Sequence, residues 1–277
     1  MRVWKAAVTD AGIRKRTNQD SYCIKEADTP QGKIGMSVIC DGMGGLMKGE
    51  VASGSLITAF SNWFDQKLVT LLEEWNAEVS STENRVVNDH PQNVNALEKS
   101  IEVDWKRLIE NANIKLSEFG REHGFQLGTT LTAMLFYEKQ FCLAVHVGDT
   151  RIYRVTENNI ELLTEDQTVM NREIKNGRLT KEQALTDPRR NVLLQCIGAS
   201  AVVVPEMYHF EVKENEAYLL CTDGFRHKIS EDEMLQLFRP SSLASEQMMQ
   251  QHIGVLIDRD KERKECDNIT AILLKIG

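Results

Sequence analysis

Five aspartates stand beside turn-forming residues at the ends of strand-like runs of the sequence. They are Asp20, Asp41, Asp149, Asp223 and Asp267. Three of them follow runs, ending at Cys40, Val147 and Cys221, that are apolar enough to be buried. Strands of one sheet that end alike can deliver their carboxylates to one rim. Several carboxylates in a small volume repel each other unless cations neutralise them.

Such a group of carboxylates is suited to hard divalent cations. Oxygen ligands suit Mg²⁺ or Mn²⁺, and the six cysteines are scattered without a C-x-x-C pair, which argues against zinc. A two-metal site can acidify a water and hold phosphate oxygens for in-line attack, so no serine or cysteine nucleophile is needed. For any single aspartate, an ordinary Asp-Gly turn is the simpler explanation.

The intervening sequence predicts helices and strands in separate blocks. Apolar residues recur at helical spacing from about Gly49 to Trp75 and from Leu97 to Phe119, with a polar, turn-forming connection over 76–96. Capping boxes at Thr180 and Ser230 predict further helices. Strands are predicted at 35–40, 130–137, 141–147, 151–155, 160–163, 208–212, 217–221 and 268–276. This is an α+β pattern of antiparallel sheet with pairs of antiparallel helices outside it.

Composition and charge exclude several classes of protein. The net charge of −8 disfavours a nucleic-acid partner. No run approaches the length of apolar residues that a membrane span needs, and the N-terminus does not have the pattern of a signal peptide. Scattered free cysteines fit a reducing compartment. Without an internal repeat or a linker, we expect 1–277 to be one domain of a soluble, cytoplasmic monomer.

Six short motifs then occur in a specific order. They are Asn18-Gln19-Asp20, Asp41-Gly42-Met43-Gly44-Gly45, Gly128-Thr129-Thr130, Gly148-Asp149-Thr150-Arg151, Thr222-Asp223-Gly224 and Asp267-Asn268-Ile269-Thr270. Each motif alone is weak, but the ordered series, over essentially the whole chain, resembles the metal-dependent protein phosphatase 2C family. The resemblance implies an α-β-β-α sandwich of two antiparallel sheets flanked by helix pairs. It also implies a bacterial-type enzyme that hydrolyses phosphoserine and phosphothreonine in proteins, opposing a cognate serine/threonine kinase.

The resemblance also implies roles for individual residues. Asp41 would bridge two Mn²⁺ or Mg²⁺ ions, and the Gly42 carbonyl would bind one of them. Asp223 and Asp267 would be ligands of the second ion. Asp41, Asp223 and Asp267 are therefore the expected catalytic residues.

Two further aspartates extend the implied metal site. Asp149, together with Asp223, corresponds to a third metal site of bacterial relatives, and Asp20 would complete the cluster directly or through water. Residues 164–195 resemble the flap beside the active site, which varies between members of the family.

The sequence departs from the family pattern where substrate phosphate is expected to bind. The usual arginine, three residues before Asn18, is replaced by Lys15, which keeps the charge but loses the bidentate fork. Substrate phosphate is expected to bind Lys15 or, in its place, Arg14 or Arg16. The alternative is that all three are solvated surface residues.

No histidine is available at the two positions where family members carry one. Met43 and Leu46 stand there, which leaves a metal-bound water as a candidate to protonate the leaving group. Gln167-Thr168 replaces a His-Ser pair at the entrance to the flap. Five histidines match no motif and are expected to be structural or on the surface; they are His123, His146, His209, His227 and His252.

The sequence argues against one other function and leaves two open. The glycine-rich turn at 42–49 fits neither phosphate-binding loop pattern of kinases and NTPases. A catalytically weak family member that acts as a regulatory binding module, and a phosphatase of small phosphorylated metabolites, remain as alternatives.

Overall fold

A computed structural model of the protein describes residues 2–43, 46–82, 90–138 and 140–277. Its strands pair only with antiparallel neighbours, in two sheets of order β1-β10-β9-β6-β7 and β2-β3-β4-β5-β8. The strands are β1 (Val3–Asp10), β2 (Ser21–Thr29), β3 (Gly32–Cys40), β4 (Leu131–Tyr137), β5 (Phe141–Val147), β6 (Arg151–Val155), β7 (Ile160–Leu162), β8 (Glu206–Phe210), β9 (Ala217–Cys221) and β10 (Ile269–Ile276).

The helices lie outside the two sheets. They are α1 (Gly49–Asn62), α2 (Leu68–Thr82), α3 (His90–His123), α4 (Val169–Lys175), α5 (Lys181–Thr186), α6 (Asp223–Arg226), α7 (Glu231–Phe238) and α8 (Glu246–Glu262). A π-helical turn, Trp63–Lys67, joins α1 to α2 without a break. Trp105 of α3 meets Trp63 edge to face, with ring centroids 5.5 Å apart.

Three apolar clusters define four layers. The inner cluster joins both sheets, for example through Met134 of one and Leu220 of the other. A second cluster packs α1, α2 and α3 against the sheet that contains β3, β4 and β5. A third packs α7 and α8 against the sheet that contains β9 and β10. The predicted α+β class and the α-β-β-α layering are therefore confirmed.

The polar connection that was predicted between the two long helices, over 76–96, is wrong at both ends. Helix α2 continues to Thr82 and α3 already begins at His90, which leaves 83–89 outside the described residues. Polar residues on the exposed side of a helix need no apolar spacing. Apolar periodicity therefore predicts helices that are too short: α2 ends later and α3 begins earlier than predicted. Strands β1 and β2, and helix α4, were not predicted. Among the described residues, no helix combines the length and apolar character that a membrane crossing requires.

Candidate active site

The aspartates reach one site from two different sheets. Asp41 and Asp149 follow β3 and β5 of one sheet, whereas Asp223 and Asp267 lie at ends of β9 and β10 in the other. The expectation that strands of a single sheet deliver the carboxylates is therefore wrong. The carboxylates meet because both sheets end at the same side of the sandwich, where Asp20 also precedes β2.

Asp20 is buried and is fixed by two hydroxyls. Its Oδ2 accepts hydrogen bonds from Thr270 Oγ1 at 2.7 Å and from Thr222 Oγ1 at 3.1 Å. Its backbone N–H donates to Asn18 Oδ1 at 3.1 Å. The other carboxylate oxygen, Oδ1, is buried and has no hydrogen-bond partner among the residues that the structure describes. One oxygen is therefore oriented by the protein while the other remains available.

The Gly128-Thr129-Thr130 segment clamps the backbone of Asp41. Thr130 Oγ1 accepts from the Asp41 N–H at 2.9 Å, and the Asp41 carbonyl accepts from the Thr130 N–H and the Thr129 hydroxyl, both at 2.9 Å. A Cβ on Gly42 would lie 2.4 Å from the Gln19 carbonyl oxygen. Only glycine therefore lets the loop after β3 pack this closely.

Asp149 is held by the turn before it and by an arginine. Gly148 has φ of +110° and leaves no room for a Cβ, which would lie 2.6 Å from Thr130. Arg226 Nη2 donates to the Asp149 carbonyl at 3.0 Å and lies 3.5 Å from its Oδ2. The same nitrogen lies 3.5 Å from Asp166 Oδ2. Arg226 thus links the turn to the start of the flap.

Asp223 and Asp267 are brought together by close packing of the chain. A Cβ on Gly224 would lie 2.1 Å from the Asn268 carbonyl oxygen, so these two segments touch through backbone. The Asn268 side chain in turn accepts from the Gln19 N–H at 2.9 Å. The buried Oδ1 of Asp223 has no hydrogen-bond partner.

Burial and mutual repulsion raise the pKa values of three of these aspartates. Burial, and then the nearby Asp223, raise the pKa of Asp149 to about 7. Burial also raises the pKa of Asp20 to about 7, with Asp223 and Asp267 adding to the effect against two hydroxyl hydrogen bonds. Burial, followed by the charge of Asp20, raises the pKa of Asp41 well above its ordinary value. Burial and neighbouring carboxylates therefore both disfavour the charged forms of Asp20, Asp41 and Asp149.

These residues fit hard cations in their chemistry. All donors are oxygens, and buried carboxylate oxygens of Asp20 and Asp223 are unpartnered. Within the described stretches, no three acidic, histidine or cysteine side chains stand in a ready-made metal-binding arrangement. Ions would therefore have to draw the carboxylates closer together.

A cleft of about 820 Å³ lies beside the aspartates. Its walls include Asp149 and Asp267, the flap helices α4 and α5, and the turns after α6 and α8. Lys15 lines it, with Nζ 3.1 Å from Asp267 Oδ1. Arg14 and Arg16 are exposed and do not line the cleft.

A model of the protein phosphatase 2C family matches residues 12–256. The chain belongs to this family. A putative protein phosphatase 2C-type of Streptococcus pyogenes is 28% identical, over 96% of this chain and 94% of its own length. The serine/threonine phosphatase stp of Listeria welshimeri is 27% identical, over 96% and 93%. The solved structure of the S. agalactiae serine/threonine phosphatase has a TM-score of 0.77 at 26% identity and covers both chains completely. The predicted family, and with it the protein phosphatase activity, is confirmed.

Leu46 and Met43, which replace histidines of other family members, have a packing role in this phosphatase. A Cβ on Gly128 would lie 3.2 Å from Leu46 Cδ1 and 3.3 Å from Met43 Sδ. The Met43 N–H also donates to the Gly128 carbonyl at 3.0 Å. Both side chains therefore support the segment that clamps Asp41.

Gln167, a second departure from the family pattern, supports the Asp149 turn. The side-chain Oε1 of Gln167 accepts from the buried Gly148 N–H at 2.9 Å, and the backbone N–H of Gln167 donates to the Gly148 carbonyl at 2.7 Å. Gln195 Nε2 also donates to Gln167 Oε1 at 2.8 Å. Thr168 caps α4 by accepting from the Asn171 N–H. The departure from His-Ser was visible in the sequence, but its long-range partners were not.

Two histidines lie near the site. His146 is fully buried, with its ring nitrogens 2.9 Å from Thr132 Oγ1 and from the Gly148 carbonyl, as a structural histidine would be. His227 instead lines the cleft, 3.4 Å from Asp223 Oδ2 and 3.6 Å from Glu265 Oε2. Sequence reasoning missed His227 and Arg226, although both lie within a turn or so of Asp223 along the chain.

Gln167→Ala should destabilise the protein by about 1–3 kcal/mol, because the buried Gly148 N–H loses its acceptor. Urea denaturation followed by tryptophan fluorescence measures the change. Gln236→Ala, at an exposed position on α7, is the matched control and should stay within about 0.5 kcal/mol of the wild type. Equal midpoints for all three proteins would contradict the positioning role of Gln167.

Proposed function

We propose that this enzyme removes phosphate from phosphoserine and phosphothreonine in proteins, by attack of water in a site that holds two divalent cations and a third nearby. One observation carries the proposal: aspartates from both sheets lie at the same side of the sandwich, where Asp149 and Asp267 line a cleft. The names of the bacterial relatives point to the same substrates. Because both sheets contribute ligands, residues 1–277 would work as one catalytic domain with a flap at about 164–195.

The proposed ligands follow the arrangement of the carboxylates. Asp41 would be a ligand of both principal Mn²⁺ or Mg²⁺ ions, and the Gly42 carbonyl of one of them. Asp223 and Asp267 would be ligands of the second ion. When bound, such ions acidify a water molecule into a nucleophile and neutralise charge on phosphoryl oxygens.

Asp149 and Asp20 would complete the set. Asp149, together with Asp223, would form the third site, and the turn at Gly148 and the Arg226 side chain keep it oriented. Asp20 presents one free oxygen because Thr222 and Thr270 occupy the other. Its raised pKa means that it loses a proton when a cation binds.

Lys15 is the proposed phosphate-binding cation. It is partly buried on the cleft wall, whereas Arg14 and Arg16 point to solvent. Its pairing with Asp267 places its ammonium beside a proposed metal ligand. A lysine in this place supplies a point charge without the two parallel hydrogen bonds of an arginine.

The proposed partners are phosphorylated proteins, among them a cognate serine/threonine kinase and its targets. We propose that the enzyme acts as a cytoplasmic monomer without a nucleic-acid or membrane partner, in keeping with its net charge of −8.

Asp41→Asn should abolish turnover of p-nitrophenyl phosphate in the presence of Mn²⁺, to the level of wild type with chelator. The loss should exceed the roughly 10–100-fold that changes outside the ligand shell produce, because a bridging ligand is removed. Asp258→Asn, an exposed aspartate on α8, is the matched control and should keep wild-type rates. A wild-type protein inactive with and without Mn²⁺ would instead favour the binding module.

Lys15→Gln should raise the KM for a phosphothreonine peptide by roughly tenfold, because a positive charge facing the phosphate is lost. Lys15→Arg should keep or lower the KM. Arg14→Gln and Arg16→Gln, neighbours of the same charge outside the cleft, should change it by less than about twofold. A larger effect at Arg14 or Arg16 than at Lys15 would refute the assignment, and faster hydrolysis of sugar phosphates than of the peptide would favour a metabolite substrate.

A further inference from the structure

The cleft beside the aspartates is larger than a phosphoryl group needs. Its volume of about 820 Å³ falls in the range that accommodates whole ligands of several residues or rings. Asp149, Asp267 and Lys15 line it, together with residues of the flap helices α4 and α5. The residues next to the phosphorylated side chain must therefore lie against the rest of this cleft.

The acidic side chains of the cleft outside the aspartate group are already neutralised. Asp166 accepts two hydrogen bonds from Arg151, Nε at 2.8 Å and Nη2 at 2.7 Å. Glu165 accepts from Lys175 and from Asn171. Glu265 accepts from two backbone N–H groups and lies beside His227. These carboxylates therefore offer little repulsion to an approaching anion.

Three cations of the same cleft have no such partner. Arg190 comes from the flap, Lys228 from the turn after α6, and Lys264 from the turn after α8. All three are exposed, and none pairs with an acidic side chain in the part of the chain that the structure describes. Arg263 Nη1 donates to the Lys228 carbonyl at 2.5 Å, which ties the two turns together. Three separate segments thus place unneutralised positive charge around one cleft.

This positive charge runs against the character of the whole protein. The net charge of −8 would repel acidic segments from most of the surface. A local group of free cations therefore selects where, and in which orientation, an anionic chain approaches. We call Arg190, Lys228 and Lys264 the cationic rim.

We infer that the cationic rim binds a second anionic group of the substrate, so that the enzyme favours phosphorylated segments with another phosphate or acidic side chains close to the scissile phosphate. This inference rests on the proposed function and deepens it. Lys15 holds the phosphate that leaves, and the cationic rim holds the anion that stays.

The test compares three phosphothreonine peptides of equal length on the Mn²⁺-loaded full chain: one with neutral neighbours, one with glutamates, and one with a second phosphothreonine. The wild type should show kcat/KM roughly tenfold higher for an anionic peptide than for the neutral one, through KM. A preference for both anionic peptides means that carboxylates suffice. A preference for the diphosphorylated peptide alone means that the rim recognises phosphate.

The variant that removes the rim is Arg190→Gln/Lys228→Gln/Lys264→Gln. It should lose the preference, whereas the control Lys99→Gln, an exposed lysine on α3 far from the cleft in sequence, should keep it. Rates with p-nitrophenyl phosphate normalise each protein for the state of its catalytic centre. Added salt should reduce the preference of the wild type.

Several results would overturn the inference. Equal kcat/KM for the three peptides in an active wild type would remove it while leaving the proposed function intact. Retention of the full preference by the triple variant would do the same. Failure of the wild type to hydrolyse any phosphopeptide, despite turnover of p-nitrophenyl phosphate, would overturn the proposed function and the inference with it.

Discussion

Repulsion among carboxylates held together away from bulk water is the constraint on which the structure of this site depends. Placing ionised groups in such surroundings costs several kcal/mol each unless partners compensate. The chain compensates only in part, with two threonine hydroxyls on Asp20 and a guanidinium beside Asp149. Buried oxygens without partners remain, and the pKa values of both aspartates rise to about 7. The surrounding fold must supply the stability that these groups take away.

The two-sheet sandwich explains how such an unfavourable group is kept in place. Ladders of antiparallel hydrogen bonds and three apolar clusters fix the strand ends, so the turns that carry the aspartates have little freedom. Close backbone contacts lock these turns together: a Cβ on Gly12 would lie 2.1 Å from the Asp267 carbonyl oxygen, and one on Gly224 equally close to that of Asn268. Both positions are therefore restricted to glycine by contact, and Gly12, with φ of +74°, is restricted by its backbone conformation as well.

Much of this arrangement could be predicted from the sequence. Strands such as 217–221 and both capping boxes were predicted correctly, because periodicity and capping are local signals. The pairing of strands into two sheets was not predicted from residue patterns, since it depends on contacts between distant segments. For the same reason the sequence shows that Gln167 departs from the family pattern but not which residues it binds, and it gives no sign that Arg226 contacts Asp149. The roles of the aspartates as ligands stay predictions, whereas the strand ends that carry them lie at the same side of the sandwich in the structure.

The active site and the cationic rim divide the work of recognition in a consistent way. Cations bound by the aspartates, together with Lys15, would bind the phosphate of any phosphate monoester. The cationic rim would distinguish substrates by the charge of the residues around that phosphate. The most direct measurement of the central claim is a crystal structure with Mn²⁺ and anomalous data at the manganese edge. Anomalous peaks about 2.1 Å from carboxylate oxygens of Asp41, Asp223 and Asp267 are predicted. Peaks located elsewhere, with these three side chains free of metal, would contradict the account.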